Sequence, residues 1–221
     1  MAVPPEASEL TNVFGLNKPQ HMLTKLYIEL QRLMESLSVW KKNEGFPEPL
    51  FNAFNTAVTA WHMTDWLWEV NATTRDRLKC IYNFEFNEWS TNGRNVGLER
   101  FQNAVAADFR QLHICREIAF GSKHMRRRRP DPDIKAVAEW HKAVQAAGEV
   151  KVGDFVMSLA IYDKDVKSDA VYMFIETAGY WEKLLTKENW ITAGDRLPDR
   201  IIQAAKGVSA QRGQEPPKDA P

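Results

Sequence analysis

Arg116 and Lys123 lie on the apolar face of a predicted helix and His124 lies at its end, and these three residues are the first candidates for chemistry in this chain. Read as one helix, residues 101–129 place Arg116 and Lys123 on a stripe of apolar side chains that ends beside His124. Long charged side chains on a core-facing stripe need polar partners, so we expect a polar site in or beside the fold. An arginine offers a planar fork of donors to phosphate, a lysine a point charge and a histidine a proton near neutral pH. The group is therefore typical of an anion site.

A second polar group lies on a helix predicted at 47–71. His62, Asp65 and Glu69 recur there in steps of three and four, which puts them in one column along the edge of the apolar stripe. We interpret this column and His113 as supporting polar residues of the site, because helices 47–71 and 101–129 can face one another in an antiparallel bundle. A structural alternative remains open, in which these residues only neutralise charges across the helix interface.

Four consecutive arginines come shortly after His124. Such a run before a proline is commonly a solvated linker, but beside the candidate site it could equally hold a polyanion. Phosphate contacts of that kind position a strand without reading its sequence. The candidate substrate-binding residues are Arg126, Arg127, Arg128 and Arg129.

Composition narrows the class of protein. The 221 residues are 44% hydrophobic and 26% charged, which is ordinary for a globular chain, and the formal net charge is zero. Affinity for nucleic acid must then come from a local patch.

Cys80 and Cys115 indicate neither a disulfide framework nor a CxxC metal site. With no secretory leader and no apolar run of roughly 18 residues, we expect a cytoplasmic protein without a membrane span.

Apolar periodicity predicts a mainly α fold. After a flexible N-terminal arm at 1–18, short loops between long amphipathic segments indicate an antiparallel four-helix bundle at 19–129. Its predicted helices are 20–42, 47–71, 73–89 and 101–129.

After residue 129 the pattern changes to a small α+β element at 130–205, followed by a disordered tail at 206–221. Residues 133–147 have features of both a helix and a strand, with helix favoured. A β-hairpin is predicted from strands 155–162 and 170–175 around a turn loop at 163–168. The remaining predicted elements are helices at 176–186 and 198–205.

A helical bundle with an arginine and a histidine on one late helix, beside a polar residue, resembles the HEPN superfamily (higher eukaryotes and prokaryotes nucleotide-binding domains). The resemblance covers 19–124 and rests on Arg116 and His124, which seven residues separate here against four to six in the family motif. It implies a metal-independent ribonuclease of a toxin–antitoxin or phage-defence system, with RNA as substrate and no cofactor. It also implies an antitoxin or other protein partner, and a homodimer that forms a composite site.

Two other functions remain open. A binding module without enzymatic activity, for a protein or a nucleotide, would explain the many aromatic residues. A metal-binding helical-bundle enzyme would use His62 with Asp65 and His113 with Glu117, whose spacings let two side chains of one helix approach one ion. Arg116 would repel a dication at that place. P-loop, GxGxxG, GxSxG and HExxH motifs do not occur, so those enzyme classes have no support.

Overall fold

The computed structural model describes residues 18–39, 47–85, 96–123, 131–144, 151 and 153–191. Within these ranges the chain is mainly helical, with one small antiparallel sheet. The helices are α1 (Pro19–Val39), α2 (Glu48–Glu69), α3 (Ala72–Tyr82), α4 (Val96–Asp108), α5 (Arg110–Lys123) and α6 (Ala170–Lys187), and the strands are β1 (Ile134–Lys142), β2 (Phe155–Asp163) and β3 (Val166–Asp169).

The first three predicted helices are confirmed where the structure describes them. The leucines of α1 at 23, 26, 30, 33 and 37 are almost fully buried, as the helical period required. α3 ends earlier than predicted, at Tyr82, because Asn83 takes a left-handed conformation (φ 49°). The backbone N–H of Asn83 donates to the Lys79 carbonyl and caps the helix. The N-terminal arm at 1–17, the helix predicted at 198–205 and the tail at 206–221 lie outside the described residues.

The prediction of one helix over 101–129 is wrong, because the chain bends at Phe109 and α4 and α5 are separate helices. The Phe109 amide still donates to the Val105 carbonyl (3.0 Å), whereas the Phe109 carbonyl accepts from Leu112, three residues on (3.0 Å), and less closely from His113, four residues on (3.4 Å). The Phe109 ring stacks on Tyr180 of α6 at 4.6 Å. Apolar periodicity continues through the bend, so the sequence does not reveal it.

Residues 134–142 form strand β1, so the preference for a helix is wrong over this part of 133–147, and residues 145–147 lie outside the described ranges. β1 pairs with β2 in antiparallel register, from Ile134 opposite Asp163 to Lys142 opposite Phe155. Alternation in the sequence had left this possibility open, and cross-strand pairing decides it. The predicted strand 155–162 is confirmed as β2, the central and most buried strand of the sheet.

The second predicted hairpin strand, 170–175, is wrong: these residues begin α6. Asp169 caps that helix, since its carboxylate accepts from the Val171 amide (2.8 Å) and the Tyr172 amide (3.4 Å). The second strand of the hairpin is β3, most of which lies in the predicted turn loop. It pairs with β2 after a two-residue turn that includes Lys164 (φ 57°). α6 is buried on nearly all sides, so its first residues form a continuous apolar run that has the sequence pattern of a buried strand.

The helices and the sheet share one hydrophobic core. Trp181 of α6 is fully buried, and its indole nitrogen donates to the Ala60 carbonyl of α2 at 3.0 Å. Met157, Leu159 and Ile161 of β2 join the same core. α2 packs against α1, α5 and α6, so any site on α2 has a fixed position relative to these helices.

Candidate functional site

Arg116 lies at the interface of α5 with α2, as the sequence predicted for these two segments. Its guanidinium carbon is 5.6 Å from the ring centroid of Trp61 on α2 and 5.6 Å from that of Phe120, one turn further along α5. Its Nη1 atom donates to Oδ1 of Asn103 on α4 at 3.0 Å. Two aromatic faces and an amide therefore fix the half-buried guanidinium in place.

The neighbouring residue on α4, Gln102, contacts the polar column of α2. Its Nε2 atom donates to Asp65 Oδ1 at 3.0 Å and to Thr64 Oγ1 at 3.2 Å. Consecutive amide side chains of α4 thus reach the acidic residue of α2 and the guanidinium of α5. Asp65 and Arg116 are thus each bound by one of two adjacent residues of α4.

We call this place the α2–α4–α5 junction. His62 is half-buried one turn before Asp65, whereas Glu69 is exposed one turn after it and lies at the margin. Sequence reasoning missed the two amides, because neither has a charge or a motif to mark it. The junction consists of Trp61, His62, Asp65, Gln102, Asn103, Arg116 and Phe120.

His113 belongs to a different cluster, although it is only three residues from Arg116. Its Nε2 atom is 3.0 Å from Oδ2 of Asp131 and 3.9 Å from Oε1 of Glu117. Glu117 also accepts the Asp131 amide at 3.1 Å, where the chain enters the sheet. The structure therefore places His113 toward Asp131 and the start of β1, and Arg116 toward α2 and α4.

Arg110, which sequence reasoning did not select, is the main cation of the His113 cluster. It binds Asp163 at the end of β2 through two parallel bonds of 2.9 and 2.7 Å, and it lies 3.3 Å from Asp131. The hydrogen bond from Arg110 lowers the pKa of Asp163. The pKa of Asp131 is lowered first by the Asp133 amide and then by His113 and Arg110. These partners are distant in sequence, so no local pattern could have indicated them.

A cleft of about 1120 Å³ opens beside this cluster, between α5, α6 and the β2–β3 hairpin. Its walls have both signs of charge, with Arg110 and Lys164 set against Asp169 and Glu176. Tyr172, 7% exposed, also lines it, and its buried hydroxyl has no hydrogen-bond partner among the described residues. Mixed charge of this kind selects no single class of ligand.

The other predicted site residues lie at or beyond the end of α5. Lys123 is the last residue of that helix and comes seven positions after Arg116. A step of seven is close to two turns, so the two backbone positions lie on the same side of α5. His124, Arg126, Arg127, Arg128 and Arg129 lie outside the described residues.

No group of three or more His, Cys, Asp or Glu side chains is arranged to hold a metal ion in the described ranges. Cys80 is exposed on α3. Cys115 is buried, and burial raises the pKa of its thiol to about 12. Among the helices described, none combines the length and apolar character of a membrane span.

Comparison of the chain with family models, curated proteins and solved structures finds no significant match. The HEPN-like resemblance and a cytoplasmic location therefore stay predictions, and the geometry of the junction has to support a function by itself.

Proposed function

We propose that this protein is a metal-independent endoribonuclease whose active site lies at the α2–α4–α5 junction and the end of α5. The observation that carries the proposal is the fixed position of Arg116, held by Asn103 and by the rings of Trp61 and Phe120. A cation whose position is set before the substrate binds stabilises developing charge without reorganisation. In this proposal the antiparallel four-helix bundle predicted at 19–129 carries the site.

The proposed reaction is transesterification within RNA. A base removes the proton of the 2′-hydroxyl, whose oxygen attacks the adjacent phosphorus while the bond to the 5′-oxygen breaks. An acid returns a proton to that leaving oxygen, and the products are a 2′,3′-cyclic phosphate and a 5′-hydroxyl. His124 acts in proton transfer, Arg116 binds the phosphoryl oxygens and Lys123 adds charge.

The supporting residues act on the site rather than on the reacting atoms. Asp65 is held by Gln102 and adds negative charge to the junction, and His62 lies one turn before it on α2. Arg126 to Arg129 would hold the RNA backbone. His113 has no part in this proposal, because its cluster faces the sheet.

The deciding experiment measures cleavage of labelled single-stranded RNA in EDTA by wild type, Arg116→Ala and His124→Ala. We expect His124→Ala to lower the rate by about 10²–10⁴-fold, the range for loss of a general acid or base, and Arg116→Ala to lower it by about 10²-fold or more. Arg32→Ala, which removes an exposed arginine from α1, is the matched control and should stay within about twofold of wild type.

Thermal melts in the same buffer separate catalysis from folding. Arg116→Ala should unfold more easily by about 1–3 kcal/mol, since the substitution removes two cation–π interactions and a hydrogen bond. Arg116→Lys keeps the positive charge but loses the planar set of guanidinium donors. Compared with Arg116→Ala, it should therefore recover more of the stability than of the activity. Wild type that cleaves no RNA, or a fully active His124→Ala, would overturn the proposal.

A binding module without catalysis is the second candidate function. It is favoured by exposed large apolar residues on the sheet, among them Val137, Trp140 and Phe155. Its partner would be an antitoxin or another protein. Inactive wild type that still binds a partner, with binding abolished by Trp140→Ala, would select this function.

A further inference from the structure

Strand β1 is an edge of the sheet, and it is long and exposed. In the strand order β1–β2–β3 the nine-residue strand β1 lies at one end, with no further strand beside it in the described part of the chain. Lys135, Ala136, Val137 and Ala138 are all exposed, and Val137 is 41% accessible. An open edge of this length presents a row of backbone donors and acceptors that can pair with another strand.

The side chains of β1 are complementary to those of a second, antiparallel copy. A two-fold axis perpendicular to the sheet pairs residues of the same face, so opposite positions differ by an even number. With Val137 on the axis, Lys135 lies opposite Glu139 of the other copy, and this pair occurs twice. Ile134 then lies opposite Trp140, and Ala136 opposite Ala138. Every charge inside the paired segment meets its opposite.

The adjacent registers do not give this match. Moving the axis to Ala136 sets Asp133 opposite Glu139, which brings like charges together. Moving it to Ala138 sets Lys135 opposite His141 and Glu139 opposite Val137, which leaves both charges without an ionic partner across the axis. Charge thus selects the register centred on Val137.

We propose that β1 pairs with β1 of a second copy of this chain, with Val137 at the two-fold axis, to form a continuous six-stranded sheet. Glu139 keeps its contacts with Lys167 (2.5 Å) and Tyr162 (2.8 Å) within its own sheet and accepts Lys135 of the second copy from the other side. The contact is isologous, so it closes at two chains and does not propagate. It is independent of RNA cleavage, which does not enter the test.

Disulfide trapping of the full chain tests this register. In a Cys80→Ser background, which removes the exposed native thiol, Val137→Cys should form an intermolecular disulfide when diamide oxidises the protein. Opposite residues of antiparallel strands have Cα atoms about 4.5–5.5 Å apart, within the range that a disulfide spans. Val166→Cys is the matched control, an equally small change at a valine that is 70% exposed on the opposite edge strand. We expect at least a tenfold faster cross-link at position 137.

Sedimentation velocity supplies the second measurement. Wild type should be a dimer, Val137→Lys a monomer because it opposes two charges on the axis, and Lys135→Glu a weaker dimer because it faces Glu139 of the other copy. A monomeric wild type would show that the edge is free or covered by another part of the chain. That result, or a dimer that survives Val137→Lys, or equal cross-linking at 137 and 166, would overturn the proposal.

Discussion

At the scale of single residues, Arg116 and Arg110 show two uses of a guanidinium on one helix. Arg116 is held by aromatic rings and an amide at the junction, whereas Arg110 joins α5 to the sheet through two carboxylates. The sequence predicted the first from its place on the apolar stripe. It could not predict the second, because Asp131 and Asp163 become neighbours only when the sheet has formed.

The Arg110 cluster should control stability in acid. The pKa values of Asp131 and Asp163 are lower in the folded protein than the ordinary value of about 3.9, so their stabilisation is present above that pH and is lost as the pH falls through the lowered values. The free energy of unfolding, measured with urea from neutral pH down to about pH 3, should decline less steeply for Arg110→Ala than for wild type. Arg32→Ala should keep the slope of wild type, and identical slopes for all three proteins would contradict this role.

At the scale of secondary-structure elements, hydrogen bonds between side chains join α3, α4 and α6 at the bend near Phe109. The Tyr82 and Tyr180 hydroxyls are 2.5 Å apart, and Tyr180 donates to Asp108 Oδ2 at 2.9 Å. Burial raises the pKa of Tyr82 to about 12, and burial together with Tyr82 and Asp108 also raises the pKa of Tyr180. These hydrogen bonds hold the end of α4 against α6, where the sequence predicted an unbroken helix.

This arrangement should make the fold sensitive to alkali. A tyrosine whose pKa is raised by folding stabilises the protein below its ordinary pKa of about 10, and that contribution is lost as the pH rises through the raised value. Wild type should lose stability between about pH 10 and pH 12, and Tyr82→Phe should lose less, as measured by chemical denaturation at each pH. Ultraviolet titration should show that these tyrosines ionise last. An equal loss in both proteins would mean that the tyrosine pair is not responsible.

The errors at this scale have one physical origin. Residues 101–123 keep a helical period across the break at Phe109, which contacts Tyr180 of α6, and residues 170–175 lack an alternation because α6 is buried nearly all round. Residues 134–140 alternated, yet only pairing with β2 turned that pattern into a strand. Local pattern located the elements that bury one face, and it failed where tertiary contacts decide the conformation.

At the scale of the whole molecule, the balance of 29 basic and 29 acidic residues means that no overall field attracts RNA. Under the proposed function, binding then depends on the few cations near the end of α5, and the slope of log affinity against log salt should be small. Replacing Arg126 to Arg129 with glutamine should reduce that slope by about 0.7 for each phosphate that the variant no longer neutralises, as measured by fluorescence anisotropy with single-stranded RNA. An unchanged slope would assign these arginines to a linker.

The packing of α1 against α6 has a consequence for synthesis on the ribosome. Tyr27 on α1 donates to Glu182 on α6 at 2.9 Å, although 155 residues separate them in the chain. α2 is synthesised soon after α1 and packs on it first, but the side of α1 that packs on α6 stays uncovered for roughly 8–30 s at a translation rate of about 5–20 residues per second. During that interval this side of α1 is exposed to other nascent chains. Newly made protein should therefore depend on a holding chaperone more than its finished fold would suggest.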